Sequence, residues 1–416
     1  MKAIPADRSG SAVAIPCSTN MDGGFMMVNE VAFGLGSNRS CIRELFEYGR
    51  MRAAVVGDEN VYDYSLGNPS IPAPAAVDQA IRDILADTSS LAVHGYTSAV
   101  GDLATRQAIA DDLNDRYDAG VRAQDLFIGC GAAPELVAVF RALAVPGAEV
   151  LAVAPYFPEY KPFVEGAGAS FKVVPADVPG FQIRMDELEK ALTKDTVAII
   201  LNSPNNPAGT VYTRQTLQEL AALLEKKAAD YGHPIYIVAD EPYRELAYDG
   251  VEVPFIPTIY GDTVVCYSYS KSLSLPGERI GYVYVPEKCS DHDALYAAIA
   301  GAARAGGHVC APSLWQKVIA RCASLRPDLE AYDRNRKTLY EGLVALGYEV
   351  AKPDGAFYLF VKAPGGDANA FSEKAKEKDL LVVPGDGFGC PGYFRVCYCV
   401  SYEKIVKSLP VFAALV

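Results

Sequence analysis

From about Val61 onward, short apolar runs of β type alternate with amphipathic helical patterns along the chain. This alternation is typical of βα units and predicts a mostly parallel sheet flanked by helices. Thr213, for example, is expected to cap a helix that places Leu217, Leu220 and Leu224 on one face. The predicted strands are 126–128, 149–154, 196–201, 235–239, 263–267 and 280–285, followed by the shorter, more alternating runs 356–361, 380–383 and 394–400.

The pattern changes between these two groups of strands. Beyond Pro312 the sequence predicts a long polar helix, about 313–346. With 416 residues, the chain has room for two or three domains of about 150 residues each. We therefore expect an α/β fold with a large domain over 61–310 and a smaller α+β C-terminal domain over 311–416, completed by an N-terminal tail and arm over 1–60.

Charge and hydropathy exclude several classes of partner. The 38 Lys and Arg residues against 51 Asp and Glu residues leave a formal net charge of −13, which opposes binding to nucleic acid or to anionic membranes. The longest aliphatic run, 197–201, is far shorter than the roughly 20 residues that span a bilayer. Residues 1–30 are too weakly apolar for a signal peptide and are expected to form a loose tail. A cytoplasmic protein is therefore expected.

The ten cysteines and four histidines form neither a disulfide nor a metal-binding pattern. No Cys-x-x-Cys occurs, and Cys397 and Cys399 alternate along a predicted strand, where both side chains point the same way. The histidines are not spaced for ligation from one helix face. We expect reduced, mostly buried thiols and no metal.

Polar clusters follow three of the predicted strands. The clusters are Asn202-Ser-Pro-Asn-Asn-Pro-Ala-Gly209, Asp240-Glu-Pro-Tyr243 and Ser268-Tyr-Ser-Lys-Ser272. In open α/β sheets, ligands bind outside the carboxyl ends of the strands. Parallel strands would therefore gather one set of side chains at a single rim: Asn206, Asp240, Tyr243, Ser268, Ser270 and Lys271.

A glycine turn, Gly129-Cys-Gly131, leads from the strand over 126–128 into a helix, and free N–H groups at a helix N-terminus favour an anion. The turn nearly matches a dinucleotide fingerprint, but Pro134 replaces the third glycine and no acid follows the second strand, so a nicotinamide site is the lesser alternative. One ligand would use both sites if it carried a phosphate, a ring nitrogen for Asp240 and an aldehyde for Lys271. Pyridoxal 5′-phosphate has all three groups.

From Tyr64 to about Tyr402, the chain resembles the class I/II aminotransferases of pyridoxal-phosphate fold type I, the aspartate aminotransferase-like group. The resemblance implies a transaminase that moves an amino group from an L-amino acid to a 2-oxo acid, in a homodimer with shared active sites. The matching segments are Ser65-Leu-Gly-Asn-Pro69, His94-Gly-Tyr-Thr-Ser-Ala-Val-Gly101, Gly131-Ala-Ala133, Pro155-Tyr-Phe-Pro-Glu-Tyr160, Asn202 to Gly209, Asp240 to Tyr243, Ser268 to Arg279 and Phe394-Arg395.

The resemblance implies a role for each rim residue. Lys271 would form the Schiff base with the cofactor and then shuttle the proton from the substrate Cα, for which a depressed pKa is needed. Asp240 would keep the ring nitrogen protonated, with a helix N-cap as the alternative role. Tyr243 and Asn206 would bind the phenolic oxygen, although Tyr243 alone could equally be a core tyrosine. Phe157 looks like the aromatic residue that stacks on the ring, with Tyr156 or simple core packing as alternatives.

The cofactor phosphate would need several donors. Ala132 and Ala133 offer no hydroxyl, unlike many relatives, so more depends on side chains elsewhere. The groups implied by the resemblance are the backbone of Gly131, Ala132 and Ala133, the hydroxyls of Ser268 and Ser270, the guanidinium of Arg279, and Tyr96 from the neighbouring subunit.

Arg395 resembles the arginine that clamps the substrate α-carboxylate, with a strand-edge salt bridge as the alternative. Gly67 resembles the backbone contact that lets a segment close over the substrate. Arg304 lies near the region where the family supplies a second cation, so aspartate is one candidate donor, beside alanine and aromatic amino acids.

The catalytic residues given above would equally serve a β-lyase of the same fold. A regulator that only binds the cofactor is disfavoured because the first 60 residues are too few and not basic.

Overall fold

Every run predicted as a strand overlaps a strand in the computed structural model, which describes residues 28–37 and 40–416. Most of the tail expected over 1–30 therefore lies outside the described residues. The strands are β1 (Tyr62–Asp63), β2 (Leu126–Gly129), β3 (Glu149–Val153), β4 (Ser170–Val174), β5 (Thr196–Asn202), β6 (Tyr236–Asp240), β7 (Thr263–Ser268), β8 (Gly281–Tyr284), β9 (Tyr358–Lys362), β10 (Leu380–Leu381), β11 (Val383–Pro384) and β12 (Tyr393–Cys397).

The strands alternate with helices over most of this length. Across residues 28–37 and 40–416, no helix is long and apolar enough to cross a membrane. The α-helices are α1 (Glu30–Ser37), α2 (Cys41–Val56), α3 (Ala75–Asp87), α4 (Ser90–His94), α5 (Leu103–Tyr117), α6 (Ala132–Leu143), α7 (Tyr160–Ala167), α8 (Met185–Ala191), α9 (Arg214–Tyr231), α10 (Tyr269–Ser272), α11 (His292–Ala305), α12 (Ser313–Cys322), α13 (Leu329–Ala345), α14 (Ala368–Lys376) and α15 (Tyr402–Ala413).

Seven strands form the central sheet in the order β2-β8-β7-β6-β5-β3-β4. The five strands from β7 to β4 are parallel to their neighbours within that group, and β8 runs antiparallel to both β7 and β2. Strands β6 and β7 are buried along their whole length, as expected for apolar runs covered by helices on both faces. The predicted α/β class with a mostly parallel central sheet is confirmed.

A second, smaller sheet has the antiparallel order β11-β12-β9, and β1 pairs with β10. Its core gathers Tyr64, Phe357 and Phe394 with apolar residues of α13 and α15. This confirms the predicted α+β C-terminal part. Strand β1, which precedes the strands of the large sheet in the chain, pairs with β10 of this C-terminal part. The division of the chain into an arm over 1–60, a large domain over 61–310 and a small domain over 311–416 stays a prediction. Helix α12, which this division assigns to the small domain, packs against α3 and α5 of the predicted large domain.

The single long helix predicted over 313–346 is wrong, since two helices, α12 and α13, cover this range. The break contains Pro327, which has no N–H to donate and disfavours helical geometry in the residue before it. Asp328 then caps α13 by accepting a hydrogen bond from the Glu330 N–H. The expected Thr213 cap of α9 is confirmed, because its side chain accepts from the Thr216 N–H.

Candidate active site

The ends of three parallel strands bring the polar clusters together. Asn202, at the end of β5, pairs in register with Asp240 at the end of β6, and Asp240 pairs with Cys266 near the end of β7. Strand β7 passes directly into the short helix α10, which carries Lys271. The strand ends therefore border one cavity of about 330 Å³, within the size range of small-molecule sites.

Most of the residues predicted for the site line this cavity. Gly131 does not line the cavity itself, although the next two residues, Ala132 and Ala133, do. Tyr96 and Arg304 do not line the cavity and are exposed. The lining residues that the sequence predicted are Gly67, Ala132, Ala133, Phe157, Asn206, Asp240, Tyr243, Ser268, Ser270, Lys271, Arg279 and Arg395.

Lys271 points into the cavity and is held by backbone. Its Nζ donates to the carbonyl oxygen of Gly67 at 2.7 Å and lies 5.5 Å from the ring centroid of Phe357. Burial lowers the pKa of Lys271. The thiols of Cys399 and Cys397 raise this pKa, whereas the positive charges of Arg395 and Arg279 lower it further. An amine with a lowered pKa is more often uncharged, which is the nucleophilic form.

Asp240 lines the cavity and has one carboxyl oxygen without a partner among the described residues. Its Oδ2 accepts a hydrogen bond of 2.6 Å from the Tyr160 hydroxyl, while Oδ1 is buried without a hydrogen-bond partner among the described residues. Burial raises the pKa of Asp240 to about 7, an effect that the Tyr160 hydrogen bond opposes. No helix begins at Asp240, so it does not have the alternative N-cap role.

Tyr243 lies next to a second tyrosine that the sequence analysis did not single out. The hydroxyl oxygens of Tyr243 and Tyr358 are 2.8 Å apart, and both side chains are buried while lining the cavity. Gly67 packs so closely here that a Cβ at this position would lie 2.2 Å from the Tyr358 hydroxyl. A side chain at position 67 would therefore displace the Tyr358 hydroxyl.

An anion-binding corner lies where α6 begins. Gly131 has φ +93°, which glycine adopts without strain, and a Cβ there would lie 2.9 Å from Nη2 of Arg279. The hydroxyls of Ser268 and Ser270 are 2.6 Å apart and border the same cavity. The free N–H groups of the first turn of α6 complete a set of donors of the kind that binds phosphate.

Arg395 is buried without an acidic partner. Its Nη1 donates to Oδ1 of Asn206 at 2.9 Å, its Nη2 donates to the carbonyl oxygen of Ser65, and its Nε has no partner among the described residues. Within the same residues, no carboxylate forms a salt bridge with it, so the predicted alternative of a strand-edge ion pair is wrong. A buried guanidinium of this kind favours an incoming carboxylate.

Two tyrosines that were not predicted from the sequence contact predicted site residues. Tyr358 lies 115 positions from Tyr243, and Tyr160 lies 80 positions from Asp240. No local pattern links such distant residues, although Tyr160 closes the predicted motif that contains Phe157. The Phe157 and Tyr160 rings also meet edge to face, with centroids 5.7 Å apart.

Comparison with known sequences agrees with this geometry. The family described as "Aminotransferase class I and II" matches residues 58–409. The chain is 28% identical to an aspartate aminotransferase of Thermotoga maritima, over 86% of this chain and 92% of the relative. It is 29% identical to the aspartate/prephenate aminotransferase of Thermus thermophilus, over 83% of this chain and 89% of the relative.

Solved structures give the same result. An aminotransferase from Eubacterium rectale is 56% identical and superposes with a TM-score of 0.92, covering 94% of this chain and 98% of its own. The aspartate aminotransferase of Thermus thermophilus solved with maleate is 26% identical, with a TM-score of 0.81 over 94% of this chain and all of its own (100%).

Proposed function

The chain belongs to the class I and II aminotransferases, and we propose that it moves the amino group of an L-amino acid to a 2-oxo acid in the cavity around Lys271. Enzymes of this class use pyridoxal 5′-phosphate. The observation that carries the proposal is the cavity itself, which is lined by the amine of Lys271, the carboxyl group of Asp240 with one oxygen unpartnered, and the buried guanidinium of Arg395 with Nε unpartnered, among the described residues.

The residues present fit this cofactor. The free Oδ1 of Asp240 would accept from the ring N–H, and the donors at the start of α6, with Ser268, Ser270 and Arg279, would hold the phosphate. When bound, the cofactor supplies an aldehyde that combines with amines and a ring that accepts electrons from the substrate Cα. Phe157, which lines the same cavity, would pack against the ring.

Lys271 would have two tasks in this proposal. Its amine would hold the resting cofactor, and after release it would take the proton from the substrate Cα and return it to the cofactor carbon. The lowered pKa suits both tasks because the base must be uncharged when it accepts the proton. Tyr243 and Asn206 would donate to the phenolic oxygen of the cofactor and keep it ionised.

Arg395 would bind the α-carboxylate and so orient the Cα–H bond toward Lys271. Nε has no other partner, and Asn206 fixes the plane of the guanidinium through Nη1. The carbonyl of Gly67 already accepts from Lys271, so the backbone at this position lies against the reacting amine. Orientation of this kind can contribute several orders of magnitude to a rate.

We also propose a homodimer with shared sites. Tyr96 is 98% exposed and lies outside the cavity of its own chain, as expected for a residue that reaches the phosphate site of a second copy. Light scattering by the cofactor-loaded protein measures this assembly directly.

Aspartate is the amino donor that we propose, on the strength of the relatives named as aspartate aminotransferases. The cations that line the cavity, among the described residues, are Lys271, Arg279 and Arg395, all already assigned. A side-chain carboxylate would need a further cation, and Arg304 is exposed and outside the cavity, so it could serve only the site of a second copy.

Arg304→Gln is expected to raise KM for aspartate by about tenfold to hundredfold, the usual effect of losing a hydrogen bond to a charged group. KM for alanine should stay within twofold or so, because alanine has no side-chain carboxylate. The matched control is Arg321→Gln, another exposed arginine. Equal effects on both substrates would remove Arg304 from the proposal and leave the aminotransferase activity intact.

The proposed activity is tested by mixing the cofactor-loaded protein with single amino acids and following the visible absorption of the bound cofactor. A transaminase converts the cofactor to its amino form, releases a 2-oxo acid without ammonia, and regains the original absorption when a second 2-oxo acid is added. Release of ammonia together with the 2-oxo acid would indicate β-elimination instead. No spectral change with any amino acid would contradict the proposed activity.

A further inference from the structure

The carboxyl group of Asp240 is held by a phenol that does not itself reach the cavity. Tyr160 is the first residue of α7, is 1% exposed, and is absent from the residues that line the cavity. Its hydroxyl donates to Oδ2 of Asp240 at 2.6 Å, which is short for a neutral pair and typical of a hydroxyl on a carboxylate. The other oxygen of this carboxyl group, Oδ1, has no partner among the described residues.

The environment otherwise disfavours an ionised Asp240. The side chain is buried, and the neighbouring Glu241 adds negative charge, which raises the affinity of Asp240 for a proton. Arg244 forms a salt bridge with Glu241, so the Arg244 guanidinium is already bound to that carboxylate. Asn202 donates to the backbone carbonyl of Asp240 and not to its carboxylate. Among the described residues, Tyr160 is the side chain that donates to this carboxyl group.

We infer that Tyr160 is a positioning residue that keeps the shared proton on the ring nitrogen of the cofactor and off Asp240. This inference rests on the proposed pairing of Asp240 with that nitrogen. With the cofactor bound, Asp240 and the ring nitrogen would share one proton, and its position would depend on which of the two is the stronger base. Donation by the phenol stabilises the carboxylate and makes it the weaker base, so the proton stays on the nitrogen. A protonated ring is the better electron acceptor.

The position of Tyr160 in the chain adds a geometric reason. It lies three residues after Phe157, and the two rings touch edge to face. One short segment therefore sets both the ring that would stack on the cofactor and the hydroxyl that orients Asp240. A shift of this segment would disturb the two contacts together.

The test uses protein loaded with pyridoxal 5′-phosphate labelled with ¹⁵N in the ring, because the ¹⁵N resonance reports protonation of that nitrogen without any turnover. In the unmodified protein we expect the protonated position. In Tyr160→Phe the equilibrium should shift toward the carboxyl by about tenfold or more, the usual effect of losing one hydrogen bond to a charged group. The resonance should move toward that of neutral pyridine.

Two further variants separate this role from packing. Tyr160→His keeps an N–H donor and should stay closer to the unmodified protein than Tyr160→Phe does. Tyr160→Met removes the donor with a flexible side chain, and it replaces the Phe variant if that one fails to load. The control is Tyr260→Phe, which removes another buried tyrosine hydrogen bond, to the carbonyl of Ile235, and should leave the resonance unchanged.

The outcomes distinguish this inference from the proposed function. If the unmodified protein shows a protonated nitrogen and the variants lacking a donor show the same, the inference about Tyr160 is overturned while the role of Asp240 stands. If the unmodified protein shows a neutral nitrogen, the proposed pairing with Asp240 is itself wrong. A shift in the Phe or Met variant that is absent in the Tyr260 control supports the inference.

Discussion

Lys271→Ala is expected to give a folded protein that forms no borohydride-reducible adduct with the cofactor and has lost at least about 10²-fold to 10⁴-fold in turnover, the range for a general acid–base group. The physical reason is that the side chain supplies both the covalent anchor and the proton carrier. Its Nζ bonds to the Gly67 carbonyl inside the cavity, and no other amine lines that cavity among the described residues. Water is a poor substitute for an oriented base.

Two measurements check this prediction. Mass spectrometry after borohydride treatment should show the cofactor on the unmodified protein and on the control Lys172→Ala, a lysine on β4 whose side chain is 53% exposed, but not on Lys271→Ala. Circular dichroism should show that the variant folds, because Lys271 forms no ion pair among the described residues whose loss would leave a buried charge without its partner. An adduct that persists at another residue would move the anchor elsewhere and end the assignment.

Much of this site could be predicted because its residues follow strands whose direction the sequence also indicates. Apolar runs as long as β5, β6 and β7 are recognisable as buried parallel strands, and the ends of parallel strands share one edge. Once three such ends carry polar clusters, their meeting follows from topology alone. Strand β4 gave no comparable signal because four of its five residues are exposed or partly exposed, two of them polar (Ser170 and Lys172), as is usual at a sheet edge.

The contacts made by Tyr358 and Tyr160 could not be predicted in this way. Tyr358 lies on β9 of the small sheet, and its approach to Tyr243 depends on how that sheet packs against the large one. Neither hydroxyl has its partner nearby in the sequence, so tertiary packing decides which group it contacts.

The break between α12 and α13 is different. Pro327 followed by Asp328 is a recognisable stop and start signal that the helical pattern around it obscured.

Arg395→Lys is expected to raise KM for amino acids by roughly tenfold to hundredfold, the effect of losing one hydrogen bond to a charged group. Lysine keeps the charge but cannot bond both carboxylate oxygens from one plane. It also cannot keep both present contacts, to Asn206 through Nη1 and to Ser65 through Nη2. The free Nε, buried without a partner among the described residues, is the group whose loss should matter most to the substrate.

A buried arginine with acidic partners provides the control for Arg395→Lys. Arg336 on α13 bonds to Asp249 and Asp333, so Arg336→Lys should reduce the free energy of unfolding without changing KM. The decisive measurement compares an amino acid with the amine that lacks its α-carboxylate. The unmodified protein should prefer the amino acid strongly, and Arg395→Lys should lose most of that preference by binding the amino acid worse while the weak reaction of the amine stays the same. If both compounds weaken equally, Arg395 supports the cavity wall and the substrate carboxylate binds elsewhere.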